Sequence, residues 1–294
     1  MPSAGDGEAR LRIARWFVDR MPRRAVSRAA GVVANVPVAR PLRRPVYGTF
    51  ARMVGARLDE AAQHVEYFSS FNEFFTRELR PGARPDLGVP GGWVSPADGR
   101  LDQFGRVDAG VLVQAKGMHY TASELLQDPG ADDLFEGGLF ATVYLSPADY
   151  HRVHAPCRME VEEVVHVGGD LYPVNGLSVP YRPGLFARNE RVVLRFRDAA
   201  GRAGALVLVG ATVVGGIRVS CPVSLRQDHR LEAARYSLSP PHVLGRMSEA
   251  GRFLLGSTVV LLVQRGDEPL RPVADAMAGK VVRLGEGLFE PLAD

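Results

Sequence analysis

The sequence predicts an α+β protein: a mainly antiparallel β core, sandwich-like or barrel-like, carried behind an N-terminal helical region that associates with a membrane. Three observations carry this. Apolar residues recur at helical spacing only in the first third of the chain. After Pro81-Gly82-Ala83-Arg84-Pro85 the texture changes to short β-branched runs punctuated by glycine. Few helical patterns separate those runs, which argues against a doubly wound parallel sheet. The expected division is therefore residues 1–80, helical, basic and amphipathic, and residues 81–294, β-rich.

In the first segment, Leu11, Ile13, Trp16, Phe17 and Met21 fall near helical spacing and are interleaved with Arg12, Arg15 and Arg20. Residues 1–50 hold ten arginines against Asp6, Glu8 and Asp19, so most of the basic excess lies there. A basic amphipathic segment of this kind lies in a membrane interface or packs on the protein's own core. Each arginine near an anionic surface contributes about 1 kcal/mol. The charge has no recognisable nucleic-acid module around it, and no nucleic-acid partner is expected. Ser70-Phe71-Asn72-Glu73 has capping-box spacing, with Phe71, Phe74, Phe75 and Leu79 following on one helical face. Beyond Gly91-Gly92, strands are predicted at Leu139–Leu145, Met159–Val167, Arg191–Arg197, Ala205–Val214 and Phe253–Val263.

Composition narrows the class. A 46% hydrophobic fraction over 294 residues suits a soluble globular protein with a sizeable core, either one large domain or a domain with an appendage. Cys157 and Cys221 cannot build a disulfide framework and form no CxxC pair, so a reducing, cytoplasmic setting is expected. No apolar run reaches the roughly 18–20 residues needed to cross a bilayer, and no secretory signal is visible.

Gly256-Ser257 lies inside the apolar run Phe253–Val263. A buried serine is costly unless its hydroxyl has a partner or a task. The preceding glycine permits a bent peptide that the hydroxyl could attack. Taken alone, the motif also fits a glycine kink in a core strand. An activated serine needs a base, and the base needs an orienting acid. Ser146-Pro147-Ala148-Asp149 has the form of a helix start, which would set His151 and His154 on one face of a helical turn. No third ligand stands near this His-x-x-His pair, so no metal is expected. Asp98 and Asp149 both compete for the acid's role on spacing alone.

Several blocks carry a resemblance. Phe71–Arg77 (FNEFFTR), Val94–Gly99 (VSPADG), Ala115-Lys116-Gly117, Tyr144–Pro156 (YLSPADYHRVHAP), Leu171–Asn175 (LYPVN), Leu185–Val192 (LFARNERV) and Gly251–Val259 (GRFLLGSTV) together resemble the phosphatidylserine decarboxylases, in the family's order. The match is closest to the bacterial, pyruvoyl-dependent type with a Leu-Gly-Ser-Thr processing site. The resemblance implies a carboxy-lyase of phospholipid biosynthesis, made as a zymogen, that converts phosphatidylserine to phosphatidylethanolamine and CO2. Its cofactor would be a covalent pyruvoyl group made autocatalytically from Ser257. Cleavage at Gly256–Ser257 would leave a β chain, 1–256, and an α chain, 257–294. The resemblance implies that His154 activates Ser257 and that Asp98, rather than Asp149, orients the imidazole. The pyruvoyl group would form a Schiff base with the substrate, and His151 is the candidate proton donor. The implied partners are phosphatidylserine in anionic membranes and the pairing of the two product chains, with further oligomerisation open. The implied location is the cytoplasmic face of the cell membrane, held peripherally.

Two other readings use the same residues. A pyridoxal-phosphate decarboxylase would need a Schiff-base lysine, and only Lys116 and Lys280 are present. A serine hydrolase could use Ser257, His154 and Asp98, but the Gly-x-Ser-x-Gly elbow is lacking and Ser257 lies within a strand-like run.

Overall fold

The computed structural model describes residues 16, 18–115, 118–174, 178–179, 181–212, 216–225, 233–254 and 257–292. The expected amphipathic segment at Leu11, Ile13 and Phe17, with Arg12 and Arg15, lies outside the described residues, as do Lys116, Gly117 and Asn175. Trp16 is described and lies half exposed, with the Arg20 guanidinium 4.4 Å above its ring. Among the described residues, no helix is long and apolar enough to cross a membrane.

Helices dominate the described residues up to Thr76. Helix α1 spans Arg23–Asn35 and helix α2 spans Arg40–Val54. The second begins with proline in its first turn and ends at Gly55, whose φ of 81° provides the left-handed cap. The short helix α3, Phe71–Phe75, has the expected N-cap: the Ser70 hydroxyl accepts from the Glu73 N–H at 3.2 Å. The Glu73 carboxylate reaches one residue further back than a standard box, to the Ser69 N–H at 2.7 Å. The helix stops at Phe75 rather than running on to Leu79. The Thr76 hydroxyl donates to the Asn72 carbonyl at 2.8 Å, and this back-bond closes the last turn. Tyr47 stacks on Phe74 with ring centroids 4.9 Å apart, so aromatic packing joins α2 to α3.

The remainder is mostly antiparallel strand. In chain order these are β1 Trp93–Val94, β2 Gly99–Arg106, β3 Val111–Ala115, β4 Met118–Thr121 and β5 Leu139–Leu145. They continue with β6 Arg152–His154, β7 Met159–Val167, β8 Arg191–Arg197, β9 Ala203–Val209 and β10 Ile217–Val219. The last are β11 Ala234–Leu244, β12 Glu249–Phe253, β13 Ser257–Val263, β14 Leu270–Pro272, β15 Val281–Val282 and β16 Gly287–Pro291. Three of the five predicted strands, β5, β7 and β8, have the predicted bounds.

Eight strands form the principal sheet in the order β11-β7-β8-β9-β13-β5-β2-β15. The sheet is open, with β11 and β15 at its two edges, so the core is sandwich-like and no barrel closes. Smaller sheets, β10-β12-β6 and β1-β16-β14, accompany it. Alternation along the central strands feeds two cores. Val259, Leu261 and Val263 of β13 enter a cluster shared with Val153 of β6 and Phe253 of β12. Val260 and Leu262 face the opposite side, where Leu125, Phe135 and Phe186 come from short helices α4 Ala122–Leu126, α5 Ala131–Phe135 and α6 Leu185–Arg188. Burial on both faces explains the near-continuous apolar reading of β13.

Phe253–Val263, expected as one strand, is two strands in different sheets. Phe253 ends β12, paired to β10 and β6, while Ser257 begins β13, paired to β5 and β9. An apolar run reads the same whether its two halves share a sheet or pass between two, because both halves are buried.

Arg191, in the LFARNERV block, has a structural task. It is 1% exposed, and burial pushes its guanidinium down to about 10. It donates to the carbonyls of Leu125 (2.6 Å) and Glu124 (2.7 Å) at the end of α4. It also donates to those of Ala187 (2.6 Å) and Asn189 (3.0 Å) at the end of α6. One cation on the sheet thus satisfies the terminal carbonyls of two helices and complements both dipoles. Arg191→Met should cost on the order of 3 kcal/mol, because those carbonyls lose their donors without gaining water. Urea unfolding checks this; a change under about 0.5 kcal/mol would be that of an ordinary surface position.

Candidate active site

Two chain segments converge at the start of β13. Ser257 lies opposite Leu145, the last residue of β5. Phe253, the last residue of β12, donates its N–H to the His151 carbonyl at 3.1 Å. The end of β12 and the start of β13 thus both lie against the segment 145–151. Leu255 and Gly256 fall outside the described residues, so the expected cleavage site is described on its serine side only. Ser257 is 1% exposed, and its hydroxyl has no hydrogen-bond partner among the described residues. A buried, unsatisfied hydroxyl costs stability and calls for a task.

The expected helical turn at Ser146 is not formed. Asp149 bends back to accept the Ser146 N–H at 2.7 Å, and its own N–H donates to the Ser146 carbonyl at 3.0 Å. The chain then enters β6, where Glu249 lies opposite His154 and Gly251 opposite Val153. Pairing of β6 with β12 outcompetes a single helical turn here. His151 and His154 consequently do not share a helical face.

Their surroundings differ. His151 is fully buried, with its ring stacked on Phe75 at 4.0 Å and 20°. Neither ring nitrogen has a hydrogen-bond partner among the described residues, although the Ser146 backbone is near enough to favour the charged ring. Burial first, then the charge of Arg77, pushes this imidazole down to about 3, so it is neutral at physiological pH. His154 binds the Met247 carbonyl through Nδ1 at 2.7 Å and the Tyr150 hydroxyl through Nε2 at 3.1 Å. A carbonyl only accepts, so the neutral ring carries its proton on Nδ1, leaving the Nε2 lone pair to accept from Tyr150. Burial lowers the pKa of His154 as well, against the opposing effects of the Met247 carbonyl, Glu249 and Asp98.

Asp98 follows two buried residues of the VSPADG block, Ser95 and Ala97, whose Oγ–carbonyl hydrogen bond of 2.7 Å tightens the turn. Gly99 is required next: a Cβ there would stand 2.3 Å from the Tyr144 carbonyl oxygen. The Asp98 carboxylate receives Arg84 at 2.8 Å and 2.5 Å and the Leu284 N–H at 2.9 Å. It makes no direct hydrogen bond to His154. The connection is indirect: the His154 N–H donates to the Pro96 carbonyl at 2.8 Å, and the Asp98 charge favours protonation of His154.

Ser257 and His151 are thus brought to one junction. His154 stands on the flanking strand, and Asp98 is held nearby by Arg84. Asp149, the other candidate acid, is occupied in its own turn and raised by burial. Sequence reasoning did not assign tasks to Phe75, Arg77, Tyr150 or the Met247 carbonyl. The first three lie inside quoted blocks and could have been singled out. A main-chain carbonyl leaves no trace in a side-chain pattern. Among the described residues, no group of three His, Cys, Asp or Glu side chains could hold a metal ion.

The buried, neutral His151 contributes to the acid response of the uncleaved protein. His151 has a folded pKa of about 3 against 6.5 for the free side chain, so the unfolded chain binds the extra proton between these values. Its contribution to stability is fully present above 6.5 and is lost as pH falls towards 3. Thermal unfolding of the Ser257→Ala chain should show a falling midpoint across this window. His151→Gln should flatten that fall, and an unchanged slope would remove His151 as its source.

Comparison with known proteins fits this geometry. The family model for phosphatidylserine decarboxylase matches residues 71–290. A phosphatidylserine decarboxylase proenzyme of Polaromonas naphthalenivorans (strain CJ2) is 40% identical over 282 residues, covering 93% of this chain and 95% of its own length. The protein of the same name from Pseudomonas putida (strain GB-1) is 42% identical over 278 residues, covering 92% and 95%. That of Pseudomonas entomophila (strain L48) is 42% identical over 277 residues, with the same coverage. On the family match and these identities, the chain belongs to the phosphatidylserine decarboxylase family.

Proposed function

We propose that the chain is a phosphatidylserine decarboxylase, synthesised as a proenzyme that cuts itself between Gly256 and Ser257. The observation that carries this reading is the buried hydroxyl of Ser257, without a partner among the described residues, at the start of a central strand within the region matched by the family. In the first step the hydroxyl adds to the Gly256 carbonyl, and the peptide nitrogen leaves to give an ester. His154 takes the hydroxyl proton on Nε2, its unprotonated nitrogen, releasing the Tyr150 hydroxyl to do so. Its lowered pKa keeps the ring neutral and ready to act as a base. Asp98 acts on His154 through its charge and through the Pro96–Asp98 segment that holds the ring's backbone. Loss of the serine α-proton and the ester oxygen then separates residues 1–256, ending in a carboxylate, from residues 257–294. Water converts the dehydroalanine left at residue 257 to a pyruvoyl group with release of ammonia.

The residues present fit such a group: a hydroxyl with no structural partner loses nothing when it is consumed. Once formed, the pyruvoyl carbonyl supplies the electron sink for charge released as CO2 departs. His151 is the proposed donor to the former α-carbon, its neutral ring carrying one N–H in a site closed to solvent by Phe75. Residues 257–294 contribute β13, paired on both sides with β5 and β9, and β15 and β16, paired with β2 and β1. Strand pairing of this extent supports retention of both product chains as one folded heterodimer.

The reading also places the enzyme at a membrane surface. Leu42, Val46 and Met53 form one exposed stripe on α2, and Val32, Val33 and Val36 are exposed at the end of α1. Exposed arginines Arg28, Arg40 and Arg44 accompany them. Apolar contact flanked by cations supports peripheral binding to an anionic leaflet, on the cytoplasmic face of the cell membrane. A serine hydrolase would keep Ser257 accessible on a strand-to-helix elbow, whereas here it is buried at the start of a central strand.

Purified protein should release CO2 from phosphatidylserine presented in detergent micelles. Ser257→Ala should remain one chain of 31.9 kDa without activity. His154→Ala should slow self-cleavage by about 10²-fold or more, the usual contribution of a general base. His151→Ala should instead cleave and lose a similar factor in turnover. Full activity from uncut Ser257→Ala would overturn the mechanism.

A further inference from the structure

Arg77 stands apart from the other buried arginines. Arg191 is saturated by four carbonyls, and Arg202 is bound by Asp198 and two carbonyls. Arg84 is shared between Asp98 and Glu60. Arg77 is 4% exposed, yet its guanidinium makes no ion pair or hydrogen bond among the described residues, and its Nε is buried without a partner. Its guanidinium stands 5.7 Å from the Phe74 ring centroid, near the outer limit of a cation–π contact, which offsets only a small part of the lost hydration. A buried, unpaired cation is among the costliest groups a fold can keep.

The place of this cation is specific. Arg77 lines a cavity of about 200 Å³ together with Arg84, Glu60, Asp98, Asp149 and Tyr150. The carboxylates in that wall are already committed. Glu60 and Asp98 are taken by Arg84, Glu60 also by Arg57, and Asp149 is turned onto the Ser146 N–H. The cavity has room for several waters or a small polar headgroup, each water occupying about 30 Å³. Its wall includes the turn 148–150 that leads directly into His151. Arg77 is near enough for its charge to be the second cause, after burial, of the lowered pKa of His151.

We propose that Arg77 binds the phosphodiester of the substrate headgroup and so positions the serine moiety at the Ser257 junction. This rests on the decarboxylase reading above. The substrate offers two anions, and the chemistry selects between them. The carboxylate loses its charge as the carbon–carbon bond breaks, so a full cation holding it would stabilise the ground state more than the transition state. The phosphodiester keeps its charge throughout and lies only a few bonds from the reacting carbon. An arginine there anchors without opposing the reaction. Its contribution is uniform binding, which lowers KM and leaves kcat nearly alone.

The test compares wild type with Arg77→Gln and Arg77→Lys. Arg77→Gln should self-cleave like wild type and raise KM for micellar phosphatidylserine by about 10- to 100-fold, the range for losing a charge-assisted hydrogen-bond partner. Its kcat should stay within about threefold, with Arg77→Lys intermediate in KM. An unchanged KM, or a loss confined to kcat, would overturn the proposal. Where Arg77→Gln fails to mature, calorimetry on uncut chains decides. Glycerophosphoserine should bind Ser257→Ala but bind at least about 10-fold more weakly to the Ser257→Ala, Arg77→Gln chain. Serine, which lacks the phosphate, should not distinguish the two. Equal affinity of both chains for glycerophosphoserine, or no binding to either, would contradict the assignment. Failure of wild type to decarboxylate is a separate outcome that bears on the reaction, while the binding comparison still reads Arg77.

Discussion

The strand pairing that begins at Ser257 is the constraint on which the rest depends. From its first residue, β13 is held against β5, and from its second against β9, deep in an eight-stranded sheet with both faces covered. A strand so placed cannot slide, because a shift of one residue would exchange its two apolar faces. The residue before it in the described chain is the end of a segment belonging to another sheet. The chain therefore leaves one ladder at Phe253, whose N–H donates to the His151 carbonyl, and enters another at Ser257. Strand register, rather than a flexible loop, aims the serine. The same pairing offers a way to survive cleavage, since the sheet does not need the covalent link to keep β13 in place.

Burial governs the electrostatics of the junction. Both histidines are held neutral chiefly by desolvation, yet their hydrogen bonds separate their capacities. His154 is locked by a carbonyl into one tautomer, with its other nitrogen left as an acceptor. His151 is fixed by stacking on Phe75 and has no hydrogen-bond partner for either nitrogen among the described residues. Around them, most carboxylates and arginines pair off with each other, leaving Arg77 without an ion pair or hydrogen bond among the described residues and in contact with Asp98, Glu60 and Asp149 only through its charge. A site composed this way is incomplete until an anion arrives.

Much of this was legible in the amino-acid sequence. Strands β5, β7 and β8 have the expected bounds because their β-branched runs end sharply at polar or turn residues. Ser70 capped its helix as its spacing required. The split between β12 and β13 was not legible, because hydrophobicity reports burial and not which sheet a residue joins. The turn at Ser146 was misread as a helix start because serine, proline and aspartate serve both; the ladder from β6 to β12 decided between them. For the site, residue types singled out Ser257 and the two histidines as candidates and left Asp98 and Asp149 competing for the acid's role. They did not reveal that Arg84 occupies Asp98 or that Met247 supplies a carbonyl to His154, since these partners are assembled by tertiary contacts between distant segments.

The central claim is that Ser257 is consumed to make the cofactor rather than kept as a side chain. Intact-mass measurement of the active protein, with and without a carbonyl-trapping hydrazine, tests it most directly. A fragment of residues 257–294 should be found with a blocked N-terminus, and it alone should gain the mass of one hydrazine adduct. An active protein whose only species is the intact 294-residue chain, with serine at position 257, would contradict it.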